Sequence, residues 1–264
     1  MISVTITDKI CFIEMKNPDH FNCLSEVMCN EMVDALDEAY RKECVGIVIK
    51  AECRRGVWSA GHDIRELPLD GNDPLSYDVP MERLLRKVQN VPIPVIAYAN
   101  GTVWGGACDL CVSCDMIIAS DTATFAITPA KIGIPYNASG IMHFINQLGI
   151  NKAREMFFTA TPITAQDALN VGFVNQIAPA DKLDELLEEK FLAPLRRNSV
   201  LSISAIKRQF RILSKAASVL SSESFERINA YRTKVYNGAD YKEGITSFLE
   251  KRQPEYKGKA TDLD

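Results

Sequence analysis

Short apolar runs bounded by turn residues alternate with apolar stripes of period near four along the first half of the chain, which predicts strands interleaved with helices. Residues 3–6 and 10–15 are β-prone runs separated by Asp8-Lys9 and read as a hairpin. Leu24 and Ser25 lead into Met28, Met32, Leu36 and Tyr40, which form one face of a helix. Residues 45–50, 94–98 and 115–119 are largely apolar and predict buried strands. Residues 107–112 read as a helix fed by a glycine-bearing loop at 101–106. The order strand, crossover helix, strand implies parallel pairing with helices outside the sheet. In such folds ligands sit where loops leave the strand ends.

From about Asn137 onward the pattern is mostly helical, with candidates at 141–148, 152–159, 164–171, 184–195, 200–214 and 221–236. Thr164 and Ser221 can serve as N-caps, although Ser224 stands where a capping box after Ser221 would want Glu. The expected division is a core over 1–195 and a helical region over 196–264. No low-complexity linker separates them, so the helical region should pack on the core or on a neighbouring subunit.

Composition narrows the class. With 264 residues and 47% hydrophobic content, the chain can build one large core plus a smaller appendage. The net charge is −4 and the basic residues are scattered, which argues against nucleic-acid binding. The start of the sequence lacks a basic region followed by an apolar run, and no segment approaches eighteen uncharged apolar residues. A soluble, cytoplasmic protein without membrane attachment is therefore expected. Eight irregularly spaced cysteines do not form a disulfide framework and should stay reduced, mostly as buried small hydrophobes.

Two glycine-bearing segments carry the candidate chemistry: Trp58-Ser59-Ala60-Gly61-His62-Asp63-Ile64 and Asn100-Gly101-Thr102-Val103-Trp104-Gly105-Gly106-Ala107. Glycine lets the main chain turn sharply and lets a ligand approach it, so the N–H groups of His62 and Gly106 can act together on one developing negative charge. By spacing alone they are equally two ordinary strand-to-helix turns. Cys108, Cys111 and Cys114 form a C-x-x-C-x-x-C run. A cluster would want a fourth thiolate and free loops, so these cysteines read as helix packing and no metal is expected. Asp63, Arg65 and Glu66 can form only local ion pairs, and Arg83, Arg86 and Lys87 read as a solvated helix face. His20 and His143 stand alone in apolar stretches and read as structural.

The segments 59–64, 101–107 and 113–119 (Ser-Cys-Asp-Met-Ile-Ile-Ala) resemble, in order and spacing, the crotonase (enoyl-CoA hydratase/isomerase) superfamily. The similarity runs on through 125–129, 131–136, 163–168 and 171–174, and so spans nearly the whole chain. Within the superfamily, His62 in its Ala-Gly-His-Asp-Ile-Arg-Glu-Leu-Pro context, residues 73–78, 103–107, 134–137 and 248–254 are similar to the decarboxylases of methylmalonyl thioesters. The resemblance implies an α/β crotonase-like spiral of repeated β-β-α units, with a C-terminal helical region that builds a trimer or a dimer of trimers. It implies an acyl-CoA substrate whose thioester carbonyl is held by His62 and Gly106. Ala60, Gly61, His62, Asp63 and Ile64 would then line the CoA path, Thr128 would contact substrate, and Lys251 would meet the CoA phosphates across a subunit boundary.

Hydratases of this superfamily use two glutamates around a water, and their positions fall here on Asp109 and Tyr136. Two carboxyl groups suit water addition, so this replacement points away from hydration. Decarboxylation needs no general base: loss of CO₂ leaves an enolate that the two N–H groups stabilise. Tyr136 would orient the carboxylate in an otherwise apolar pocket. Asp109 is one methylene shorter than the expected Glu, and it either orders a water for enolate protonation or hydrogen-bonds within the fold. The expected reaction is methylmalonyl-CoA to propionyl-CoA, with no cofactor beyond the CoA of the substrate, since the thioester is itself the electron sink.

Overall fold

The computed structural model describes residues 1–70, 72–216, 222–259 and 262. A hairpin of β1 (Ile2–Thr7) and β2 (Ile10–Met15) turns at Asp8-Lys9, both in the left-handed region. Helix α1 (Glu26–Arg41) is capped by Ser25, whose Oγ accepts from the Met28 N–H, and buries Met28, Met32 and Leu36 as its stripe requires. Next come β3 (Gly46–Ala51), β4 (Val57–Ser59), α2 (Pro80–Asn90), β5 (Val95–Ala99), β6 (Thr102–Trp104), α3 (Gly106–Ser113), β7 (Met116–Ser120) and β8 (Thr124–Ala126). They are followed by α4 (Ala138–Thr159), β9 (Ile163–Thr164), α5 (Ala165–Asn170) and β10 (Gln176–Ala178).

The strands form two sheets. One runs β1-β2-β3-β5-β7-β10 and is parallel from β2 onward; the other runs β4-β6-β8-β9. The second sheet was not expected from the sequence, because residues 57–59 and 102–104 are too short and too close to glycines to show a strand period. Its parallel β4–β6 pair brings the two glycine loops side by side. Trp58, Val103 and Phe125 from this sheet are fully buried, and their core is continuous with that under α1, α2 and α3.

The two helices expected at 141–148 and 152–159 are one element, α4, broken at Gly149, whose φ of 73° interrupts the helical backbone. The expected cap on α5 is present: Thr164 Oγ1 accepts from the Asp167 N–H. The helix expected at 184–195 is α6 (Leu183–Leu187), a π turn over Glu188–Leu192, and α7 (Ala193–Arg197). Then follow α8 (Val200–Ala216), α9 (Ser222–Asn237) and α10 (Ala239–Leu249). Ser221, expected as a cap of α9, lies outside the described residues. Among the described residues no helix is long and apolar enough to cross a membrane.

The C-terminal helices reach back to the segments that follow β4 and β8. On α9, Arg232 Nη2 donates to Asp73 Oδ1 at 2.6 Å and Tyr236 Oη to the Pro135 carbonyl at 3.2 Å, which pins the residue before Tyr136. Gly244 of α10 packs so closely on Ile132 that a Cβ would lie 2.3 Å from its carbonyl oxygen.

Candidate active site

The loop after β4 turns at Gly61, with φ of 86°. A Cβ there would lie 2.5 Å from the Trp104 carbonyl oxygen and 2.7 Å from the Gly106 nitrogen, so the two loops touch backbone to backbone and only glycine fits. Gly61 is held in place by its carbonyl, which accepts from the Leu24 N–H at 2.8 Å, and by its own N–H, which donates to Ser59 Oγ at 3.2 Å. The bridge to Leu24 uses Gly61 O and Asp63 N and leaves the His62 N–H unused. Gly106 opens α3, so its N–H has no intrahelical partner. A Cβ on Gly106 would stand 3.4 Å from the His62 nitrogen. The two N–H groups are thus neighbours, both free for an outside acceptor.

They border a cavity lined chiefly by apolar side chains such as Ile64, Leu67, Leu75, Met81, Ile132 and Ile134. Ala60, Thr128 and Tyr136 also line it, as expected. Gly61 and Asp63 do not face it. The Asp63 carboxylate turns away to Arg65, accepting from its N–H and from Nε at 2.8 Å. Lys251 sits beyond α10 with its own backbone in the left-handed region and is not part of the lining. Burial holds the His62 imidazole below its ordinary pKa despite Asp63 nearby, so the ring is neutral at neutral pH.

Asp109 is 1% exposed and lies behind Tyr136, away from the cavity wall. Its Oδ2 accepts from Tyr136 Oη at 2.8 Å, and its Oδ1 lies 2.7 Å from His143 Nδ1. Burial first, then the adjacent Asp109 charge, raises the Tyr136 phenol well above its ordinary value, so it stays protonated. The Tyr136 ring meets Phe157 and Phe144 edge-on at 5.2 and 6.5 Å between centroids. His143 is therefore not the isolated structural residue that its surroundings in sequence suggest. Burial alone would lower its pKa, but the Asp109 hydrogen bond and charge, aided by Glu82, raise it overall.

Glu82 on α2 is a second residue that the sequence did not single out. It is 5% exposed, its Oε1 accepts from Asn137 Nδ2 at 2.6 Å, and burial together with the Asp109 charge pushes its pKa up to about 7. A signal did exist: Glu82 stands three before Leu85 on the stripe that α2 buries. A carboxyl whose folded pKa lies above its unfolded one contributes stability that is fully present below about pH 4.5 and is lost as pH rises to about 7. Glu82→Gln is therefore expected to flatten that loss, by on the order of 2 kcal/mol between pH 5 and pH 8. Urea unfolding at the two pH values measures it; parallel wild-type and variant curves would refute the assignment.

The three cysteines of the C-x-x-C-x-x-C run are distributed through the α3 packing. Cys108 Sγ donates to the Val103 carbonyl at 3.1 Å and Cys111 is fully buried. Burial raises all three thiols well above their ordinary value. Arg83 bonds Asn30, Lys87 bonds Asp37, and the Arg86 guanidinium lies 3.5 Å over the Tyr77 ring, so this face of α2 is occupied by local contacts.

Parallel β-sheets wound with helices, two free N–H donors on touching glycine loops and an apolar cavity beside them define a crotonase-type fold built to hold a polar oxygen at the loop junction. The family model described as enoyl-CoA hydratase/isomerase matches residues 5–259, and the chain belongs to that family. It is 39% identical to the methylmalonyl-CoA decarboxylase of Escherichia coli over 97% of this chain and 98% of that one. It is 32% identical to the human mitochondrial enoyl-CoA hydratase domain-containing protein 3, over 94% of this chain and 80% of that protein. A solved methylmalonyl-CoA decarboxylase in complex with 2-nitronate-propionyl-CoA superposes with a TM-score of 0.94 at 39% identity, covering 98% of both chains. The resemblance expected from the glycine segments, in fold and in family, is borne out.

Proposed function

We propose that the chain decarboxylates methylmalonyl-CoA to propionyl-CoA through a thioester enolate. The observation that carries this reading is the cavity wall: among the described lining residues there is a tyrosine but no carboxylate. Water addition to an enoyl thioester wants acid and base groups within reach of the substrate. Decarboxylation wants less. The thioester oxygen accepts from the His62 and Gly106 N–H groups, the bond from the α-carbon to the carboxylate breaks, its electron pair passes into the enolate, and CO₂ leaves. The α-carbon then takes a proton. The apolar wall favours this charge-spreading step, because a compact carboxylate loses more on leaving water than a delocalised enolate held by fixed donors. The 39% identity to a methylmalonyl-CoA decarboxylase supports the choice of substrate.

In this reading the single Tyr136 O–H, given to Asp109 in the free protein, turns to the substrate carboxylate and orients it, Asp109 acts through Tyr136, Thr128 contacts the acyl portion, and Ala60, Gly61, Asp63 and Ile64 shape the CoA path. Lys251 meets the CoA phosphates from a neighbouring subunit. No metal, biotin or nicotinamide is required. The region 196–264 assembles a trimer or a dimer of trimers, in the cytoplasm. Support for assembly is the face of α8 on which Ile206 is 50%, Phe210 70% and Leu213 65% exposed. The free thiols suit a reducing compartment. A monomer mass by equilibrium sedimentation would remove the assembly part.

The test is to incubate the protein with methylmalonyl-CoA and, separately, with crotonyl-CoA. Propionyl-CoA and CO₂ are expected from the first and no fast hydration from the second; fast hydration without CO₂ would overturn the reading. Tyr136→Phe removes one hydrogen bond to a charged group, so decarboxylation should fall by about tenfold or more while propionyl-CoA affinity holds. An unchanged rate would make Tyr136 structural.

A further inference from the structure

We infer that His143 is a positioning residue for Tyr136, acting through Asp109, and that its tautomer is set by a one-way chain of hydrogen bonds starting at Arg211 on α8. Its kinetic consequence rests on the decarboxylase reading; its geometry does not.

The direction follows from what each group can do. A guanidinium has donors and no acceptor. Arg211 Nη1 lies 2.6 Å from Gln89 Oε1, which fixes that oxygen as the acceptor and turns the amide nitrogen of Gln89 the other way. That nitrogen lies 3.2 Å from Ser113 Oγ and 2.8 Å from His143 Nε2. An amide NH₂ only donates, so Nε2 must offer its lone pair: Asp109 raises the pKa of the ring, but the donor facing Nε2 opposes a second proton, and the one ring proton sits on Nδ1. Nδ1–H then donates to Asp109 Oδ1 at 2.7 Å, while Oδ2 accepts from Tyr136. Reversing a link on the amide side would set two donors face to face, and reversing one at the Asp109 carboxylate would set two acceptors face to face. The chain crosses four helices, α8, α2, α4 and α3, and ends on the cavity wall at Tyr136.

The consequence concerns the carboxylate. The terminal torsion of an aspartate is broad, so one hydrogen bond leaves the carboxylate plane loosely set. Two donors on opposite oxygens fix it, and with it the acceptor that Tyr136 meets. Remove His143 and Oδ1 becomes a buried acceptor without a donor; the pair then relaxes and the hydroxyl at the wall loses its place.

The experiment pairs His143→Leu, which removes the donor, with His143→Asn, whose amide N–H can stand near the Nδ1 position, and with Gln89→Leu. His143→Leu should lower kcat by about tenfold or more, with KM within about threefold and propionyl-CoA affinity unchanged. His143→Asn should recover most of the loss. Independently of activity, ¹⁵N NMR of the ring nitrogens should show His143 as the Nδ1–H tautomer in the wild type and, in Gln89→Leu, where no donor faces Nε2, a larger doubly protonated fraction at the same pH. The chain has three histidines, so single substitutions assign the signals. An Nε2–H tautomer in the wild type, or full kcat in a folded His143→Leu, overturns the proposal. Should His143→Leu not fold, the NMR comparison and the kcat of Gln89→Leu decide it. A wild type that releases no CO₂ fails the decarboxylase reading alone, and the tautomer measurement still tests the chain.

Discussion

Gly61→Ala should abolish nearly all turnover, by about a thousandfold or more, while Gly56→Ala should leave it nearly intact. Both glycines have positive φ, 86° and 70°, so an alanine strains the backbone at either site, by about 1–2 kcal/mol. The space around them differs. Nothing lies within 4 Å of a Cβ placed on Gly56, whereas on Gly61 it would press on the Trp104 carbonyl oxygen and the Gly106 nitrogen. Backbone cannot swing aside as a side-chain tip can, so the two loops must part. That separates His62 from Gly106, and losing one oxyanion donor alone typically costs a hundred- to thousandfold in rate. Decarboxylation of methylmalonyl-CoA by the two variants, with circular dichroism to confirm folding, measures the contrast. A folded Gly61→Ala with turnover near that of Gly56→Ala would mean that the loop junction is not where the thioester oxygen is held.

The same junction shows what was legible in the sequence. The glycines could be seen because positive φ and close approach restrict residue type strongly. The flanking strands β4 and β6 could not, because three residues show no period. The main sheet is legible from its continuous apolar runs, and α4 looks like two helices in sequence because Gly149 interrupts its pattern. At the site, Tyr136 and Asp109 drew notice through the family pattern, but their bond joins residues 27 apart in sequence. His143 looks structural in sequence because its acid partner lies 34 residues away on another helix. Glu82 does not stand out in sequence because a charge on an amphipathic helix ordinarily points outward, and its bond to Asn137 and the nearby Asp109 charge make it an exception. Local rules found the backbone part of the site; the polar network beneath it depends on which helices meet.

Lys207→Met should destabilise the protein by about 3 kcal/mol at neutral pH, and the deficit should shrink in acid. Lys207 on α8 is 9% exposed, and its Nζ donates to the Val88 carbonyl at 3.2 Å, the Ile93 carbonyl at 3.0 Å and Asp115 Oδ2 at 2.6 Å. It ties α8 to the end of α2 and to the start of β5, the strand that leads into the Gly106 loop. Methionine keeps the length and removes the charge, so Asp115 keeps a carboxylate that still accepts from the Val95 N–H but has lost its cation. Breaking a buried pair from one side typically costs about 3–5 kcal/mol, and the low end applies because the Asp115 side chain keeps 31% exposure. Burial already raises the Asp115 pKa, while Lys207 opposes the rise. Without the lysine it rises further. A carboxyl raised in the folded state contributes stability in acid that is lost as pH climbs through its folded pKa, so the variant loses most above the carboxylate range. Asp115→Asn in the same chain removes the unpaired charge, keeps an acceptor for Val95 and should restore part of the loss at pH 8. Urea unfolding at pH 5 and pH 8 distinguishes this from simple loss of packing, which would cost the same at both.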